Sequence, residues 1–159
     1  MTETVSPTGA SETLDRSAAP SALANLLRSE DYRVKMADVD AASIIYFASP
    51  LRWKEMIFSN WLADLGHPLR EMLDNRAGCP CVECNVRYRY PLRLDDVVRL
   101  DLFAVHVGRS SIGLRVTATT PEGVLANEVT TRNVWTDFQS DGPMSSQPMP
   151  DWLRSALLA

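Results

Sequence analysis

The segment from Phe47 to Leu65 constrains the fold more than any other part of the chain. Pro50 lacks an N–H, and only the first turn of a helix leaves those donors unused, so a helix here begins close to Phe47. Downstream, Phe47, Leu51, Met56, Ile57, Phe58, Trp61, Leu62 and Leu65 occupy more than one face. That distribution predicts a helix enclosed by protein over much of its circumference. Gly66 and Pro68 stop it.

What covers such a helix is written on either side of it. "DYRVKMADVD" (31–40) reads as a strand that leads into a small-residue turn at Ala41, Ala42 and Ser43. After a short helix over "LREMLDN" (69–75) the period of the pattern becomes two. In "VECNVRYRY", Val82, Cys84, Val86, Tyr88 and Tyr90 fall on one face and Glu83, Asn85, Arg87 and Arg89 on the other, the mark of a half-buried strand. "DVVRLDLFAVHVG" (96–108), "SIGLRVTATT" (111–120) and "VLANEVTTRNVWTDF" (124–138) follow, and their punctuation at Gly108 and "PEG" suits an antiparallel meander. The tail "PMPDWLRSALLA" reads as a short helix capped by Asp151. A strand, an apolar helix and then four long strands predict an α+β protein, a curved antiparallel sheet wrapped around one long central helix.

At 159 residues and 45% hydrophobic, the chain has the material for a single core and a single domain. Residues 1–28, rich in Ser, Thr, Ala and Pro, lack the basic start and apolar run of a secretory signal. They read as a disordered leader, with a short helix over Ser21 to Leu27, and 29–159 as the folded domain. A cytoplasmic protein with reduced cysteines is expected. Sixteen basic against twenty acidic side chains give a net charge of −4 without a basic run, so no nucleic-acid partner is expected. Nor is any stretch apolar enough to span a membrane.

"CPCVEC" places three thiols close together. On the proposed strand Cys79 and Cys81 point one way and Cys84 the other, and zinc would need a fourth ligand, so reduced core or edge cysteines are expected and no metal. His67 and His106 are the only histidines, and neither accompanies a Gly-x-Ser-x-Gly elbow.

The run "DVDAASIIYFASPLRW" and the order of elements resemble the hotdog-fold acyl-CoA thioesterases of the 4-hydroxybenzoyl-CoA thioesterase type. The residues that carry the likeness are Asp38, Asp40, Ala41, Ala42, Ile44, Ile45, Tyr46, Arg52, Trp53 and Glu55. "YRYPLRLDDVVRLDL" is similar to the family's Tyr-x-x-Pro-x-x-x-x-Asp-x-Val segment, "VGRSSIGL" to its Gly-x-x-Ser turn and "QPMPDWLRSAL" to its ending. Two positions depart from the pattern: Ser43 stands where glycine is usual, and Phe47 where many members carry histidine or another polar aromatic.

The resemblance implies that Asp40 is the catalytic carboxylate, as a nucleophile or as a base for water, and that the Phe47 amide at the helix start holds the thioester oxygen. It implies that Tyr46 and Phe47 line the acyl pocket and that Arg109, Ser110 and Ser111 meet the nucleotide of coenzyme A. Asp38 is expected to be structural or to support the site from beside it, and Glu55 to form a salt bridge or buried hydrogen bond to a neighbouring strand in preference to acting as a competing base. No cofactor is implied. The expected substrate is an aryl- or medium-chain acyl-CoA, with release of a chain from an acyl carrier protein as the alternative and a hotdog dehydratase or a non-catalytic acyl-binding module behind it. Subunits of this kind pair into homodimers or homotetramers.

Overall fold

The computed structural model describes residues 24–138 and 144–159. In chain order the elements are β1 (Asn25–Arg33), a 3-10 turn (Met36–Asp38), α1 (Ser49–Asp64), α2 (Leu69–Asp74), β2 (Ala77–Gly78), β3 (Cys81–Tyr88), β4 (Val97–Val107), β5 (Ser111–Thr119), β6 (Leu125–Val134), β7 (Thr136–Asp137), β8 (Ser145–Ser146) and α3 (Asp151–Leu158). The class is α+β.

Five strands form one antiparallel sheet in the order β1-β4-β5-β6-β3, and β2, β7 and β8 form a small second one. The meander expected after residue 96 is present as β4-β5-β6. β3, however, crosses over to pair with β6, and β1 takes the place beside β4. β1 also starts earlier than expected: Asn25 lies opposite Ala104 and Arg28 opposite Leu102. Residues 25–28, read as leader, therefore belong to the sheet. The helix expected over Ser21 to Leu27 falls partly outside the described residues, and Asn25 to Leu27 are strand.

Alternation decides which face of the sheet is covered. Val98, Leu100, Leu102 and Ala104 of β4 and Ile112, Leu114, Val116 and Ala118 of β5 point inward. Against them α1 lays Trp53, Ile57, Phe58, Trp61 and Leu62, and α3 closes the core with Leu153 and Leu157. Each fully buried side chain of this size contributes about 1.5–3 kcal/mol, which makes this layer the main stabilising element.

α1 is 16 residues long and starts at Ser49 with Pro50 in its first turn. Gly66, at φ +83°, takes the left-handed conformation that ends it. As expected, the helix is enclosed over more than half of its circumference: Ser49, Pro50, Trp53, Lys54, Ile57, Phe58, Trp61 and Leu62 form one broad buried stripe, while Arg52 and Glu55 are exposed. The apolar residues off that stripe, Leu51 and Met56, pack only at the edge of the core. Asp151 is the first residue of α3 rather than its cap, a position held by Pro150. No helix among the described residues is long and apolar enough to cross a membrane.

β3 departs most from its expected half-burial. It is an edge strand, and in a single chain almost all of it is exposed, Val82 by 60% and Tyr88 by 49%. Val86 is its one side chain that packs against the core among the described residues. A bulge between Cys81 and Glu83 also shifts its register, so that Cys81 lies opposite Asn133 and Cys84 opposite Thr131. Positions two apart on β6 share a face, so these two cysteines point the same way rather than oppositely. All three thiols are free, and among the described residues no three His, Cys, Asp or Glu side chains group as metal ligands.

Candidate active site

Asp38 anchors the segment that precedes α1. The residue is 4% exposed, and its carboxylate accepts from the Tyr32 hydroxyl (2.7 Å), the Lys35 N–H (2.9 Å) and the Trp53 indole (3.1 Å). The Arg52 guanidinium stands 3.7 Å away. Its carbonyl in turn accepts from the Tyr46 N–H (2.7 Å) and the Ser49 hydroxyl (2.8 Å). One buried carboxylate thus ties β1, the turn and the first residues of α1 together, the structural role expected of it.

From that anchor the chain makes a tight excursion. The Asp40 N–H donates to the Ile44 carbonyl (3.0 Å), the Ser43 N–H to the Asp40 carbonyl (3.0 Å), and the Ala42 N–H to Asp40 Oδ1 (2.7 Å). Ser43 sits at φ +61°, in the left-handed region that favours glycine. The backbone course usual with glycine is therefore kept, at the expense of strain in a residue that has a Cβ. The turn leaves the Asp40 side chain exposed, with the Ala42 N–H as its hydrogen-bond partner.

A cleft of about 450 Å³ opens beside it, lined by Asp40, Ile44, Ile45, Tyr46, Phe47 and the 88–91 segment. Tyr46 and Phe47 pack together at 4.4 Å between ring centres, and Phe47 remains 64% exposed. The Tyr46 carbonyl accepts from the Ser49 N–H (2.8 Å). Across a trans peptide the Phe47 N–H points the opposite way, and it has no acceptor among the described residues. The helix proper begins two residues later, but these entry amides carry the same positive end of its dipole.

The sequence reading missed Tyr88, Arg89, Tyr90 and Pro91 as cleft residues. The alternation had put Tyr88 and Tyr90 on one face and Pro91 had marked the strand's end, so the signal was in the pattern. What the pattern lacked was the neighbour, since Tyr88 reaches the site only because its hydroxyl donates to the Phe47 carbonyl. Burial pushes the Tyr88 hydroxyl above its ordinary pKa. Trp53 and Trp61 are core. Glu55 pairs with Lys54 of its own helix (2.7 Å) instead of with a strand.

Arg109, Ser110 and Ser111 lie elsewhere. They form the β4–β5 turn, and Arg109 and Ser110 line a separate notch of about 100 Å³ with Ser146, Gln147 and Pro148. Ser111 lies opposite Val134 of β6, whereas Tyr88 of the cleft lies opposite Asn127. Seven residues of strand separate those two levels, roughly 23 Å at the usual rise. Within one chain the turn and the cleft occupy opposite ends of the sheet, so a single subunit does not bring the two halves of the expected site together.

An antiparallel sheet laid over one helix, with the chain entering that helix past an exposed carboxylate, defines this as a hotdog-fold protein. The chain belongs to the thioesterase-like superfamily, whose family model matches residues 34–157. It is similar to a 1,4-dihydroxy-2-naphthoyl-CoA hydrolase of Thermosynechococcus vestitus, 29% identical over 132 residues that cover 82% of this chain and 90% of that protein. Among solved structures it is similar to a gentisyl-coenzyme A thioesterase, with a TM-score of 0.73 and 25% identity over 82% of this chain and 99% of the other. The fold is shared with a 1,4-dihydroxy-2-naphthoyl-CoA thioesterase from Synechocystis, with a TM-score of 0.74 and 17% identity over 82% of this chain and 94% of the other.

Proposed function

We propose that the protein hydrolyses the thioester of an acyl-CoA to the free acid and coenzyme A, and that it does so with Asp40 and the Phe47 amide. The observation that carries the assignment is the shared lining of one cleft by an exposed carboxylate and a residue whose backbone N–H has no partner among the described residues. Asp40 either attacks the carbonyl carbon, expelling the thiolate and leaving a mixed anhydride for water to open, or takes a proton from water as that water adds. In both routes negative charge gathers on the carbonyl oxygen, and the Phe47 N–H is the donor for it.

The acyl group we assign is aryl in preference to a straight chain. Tyr46, Phe47, Tyr88 and Tyr90 surround the cleft, and flat aromatic faces reward a flat guest. The two relatives named above for their naphthoyl- and gentisyl-CoA substrates point the same way. Coenzyme A reaches the Arg109–Ser111 turn of a second subunit in a homodimer joined along the exposed β3 edges, which brings together what one chain keeps apart. In such a pair the two sheets form one surface curved around both α1 helices, and a homotetramer needs a second interface between dimers.

The test is thiol release by the purified protein across aryl-, short-, medium- and long-chain acyl-CoAs, with Asp40→Asn measured beside it. Turnover of aryl esters that is lost in the variant is expected. Wild-type rates in Asp40→Asn would remove that residue from the chemistry, and silence on every CoA ester would shift the substrate to an acyl carrier protein thioester.

A further inference from the structure

The β4–β5 turn is held from behind by a residue that the functional assignment has not used. Arg154, on α3, donates through Nη2 to the Gly108 carbonyl (2.6 Å) and to the Arg109 carbonyl (3.3 Å). The Arg109 carbonyl also accepts from the Met149 N–H (3.0 Å), and the Ser110 carbonyl from the Trp135 N–H (2.7 Å). Three successive carbonyls are thus drawn to the protein side of the turn.

Peptide planarity fixes what the other side presents. In a trans peptide the N–H points opposite to the C=O, so the N–H groups of Arg109 and Ser110 are turned outward. Neither has an acceptor among the described residues. Consecutive outward N–H groups form a concavity suited to an anion. The notch beside them adds Arg109, Ser110, Ser146 and Gln147, and among the described residues no carboxylate lines it. Arg154 makes no ion pair among the described residues, so its charge adds to the positive field behind the turn.

A Cβ at Gly108 would stand 2.5 Å from Ser111 Oγ and 3.1 Å from His106 Nε2, so those two side chains would have to turn aside for any other residue. Arg154 is itself fixed, since Leu153 and Leu157 on either side of it in α3 are fully buried in the core. Its Nη2 alone carries two hydrogens, which serve the two neighbouring carbonyls.

We propose that Arg154 is a positioning residue for a phosphate group of the coenzyme A nucleotide: it holds the Gly108–Ser111 turn so that the Arg109 and Ser110 N–H groups and the Arg109 guanidinium face the phosphate. The proposal rests on the assignment of acyl-CoA as substrate, and it adds Arg154, Ser146 and Gln147 to the residues that determine its binding.

The experiment uses the full chain and two readouts. The first is calorimetric binding of adenosine 3′,5′-bisphosphate, the nucleotide end of coenzyme A without its thiol arm. The second is KM for an aryl-CoA against KM for the matching pantetheine ester, which lacks the nucleotide. Arg154→Ala is expected to weaken nucleotide binding and to raise KM for the CoA ester by about tenfold, the effect of one charge-assisted bond, while the pantetheine ester keeps its KM. Arg154→Lys should recover part of the loss, and circular dichroism controls for folding.

Nucleotide binding by Arg154→Ala equal to that of wild type overturns the proposal, as does an equal rise in KM for both esters or a wild-type protein that does not bind the nucleotide. The thioesterase assignment fails separately. A wild-type protein that binds the nucleotide in an Arg154-dependent way but releases thiol from no ester would leave the phosphate site standing and remove the hydrolytic one.

Discussion

The Tyr88 hydroxyl donates to the carbonyl of Phe47, linking edge strand β3 to the chain that enters α1. Pro50 explains why the bond is needed. In a regular helix start, N–H groups three or four residues on would take that carbonyl, but Pro50 has none and the Leu51 N–H goes to Ala48 (3.2 Å). A strand distant in sequence supplies the missing donor.

Removal of that hydroxyl leaves the ring in place and the carbonyl free to turn. Tyr88→Phe is expected to lower kcat by about fivefold, the worth of one neutral hydrogen bond, with KM close to wild type. Steady-state kinetics on the best aryl-CoA decides it. A rise in KM at constant kcat would make Tyr88 a wall of the cleft and nothing more.

Asp38 and Asp40 should separate cleanly in stability. Asp40→Asn keeps an oxygen for the Ala42 N–H, so its unfolding midpoint in urea should match wild type while turnover disappears. Asp38→Asn puts an NH₂ where one of three donors now points, inside the core. A loss of about 2–4 kcal/mol is expected, and equal midpoints for the two variants would contradict the anchoring role of Asp38.

Ser43→Gly should stabilise. Relief of the left-handed strain is worth about 1–2 kcal/mol and the added freedom of the unfolded glycine costs about 0.5–1 kcal/mol, so Tm should rise by about 1–4 °C. A lower Tm would mean that the serine side chain contributes something its strained backbone does not suggest.

Alkaline pH should destabilise the fold through two groups. Burial, reinforced by the bond to Asp38, pushes the Tyr32 hydroxyl up to about 12 from 10.0, and burial pushes the Cys79 thiol up to about 12 from 9.0. As pH rises past 9.0 the unfolded chain binds fewer protons than the folded one, so the free energy of unfolding falls. The stability these groups provide is complete below that pH and is lost as pH climbs towards 12. Urea unfolding at pH 7 and at about 10.5 measures the slope, and Cys79→Ser should flatten it. A slope unchanged from wild type in both that variant and Tyr32→Phe would assign the effect to other groups.

What the sequence disclosed was what short-range chemistry controls. Pro50 and Gly66 bounded α1 because each acts on its own turn, and the alternation of β4, β5 and β6 gave their faces because a strand's period is fixed by its backbone. Partners across the sheet were less legible. Nothing local to "VECNVRYRY" says that it crosses over to β6, and the bulge at Cys81 reverses a face count that the bare spacing predicts. Asn25 to Arg28 carry little alternation, so their place beside β4 had no pattern to announce it. In the candidate site, Asp40, Tyr46 and Phe47 were named through the family resemblance, and all three line one cleft. Arg154 was not named, since a charged residue on a terminal helix looks like any solvated one until its carbonyl partners are seen.

The separation of the cleft from the Arg109 turn by the length of a strand has a genetic meaning. If each working site borrows its turn from a neighbour, a chain defective at Asp40 and a chain defective at Arg109 are each poor alone, yet their mixed pair contains one site with both groups intact. Two damaged alleles expressed together would then complement, and the recovered activity would track the fraction of mixed pairs.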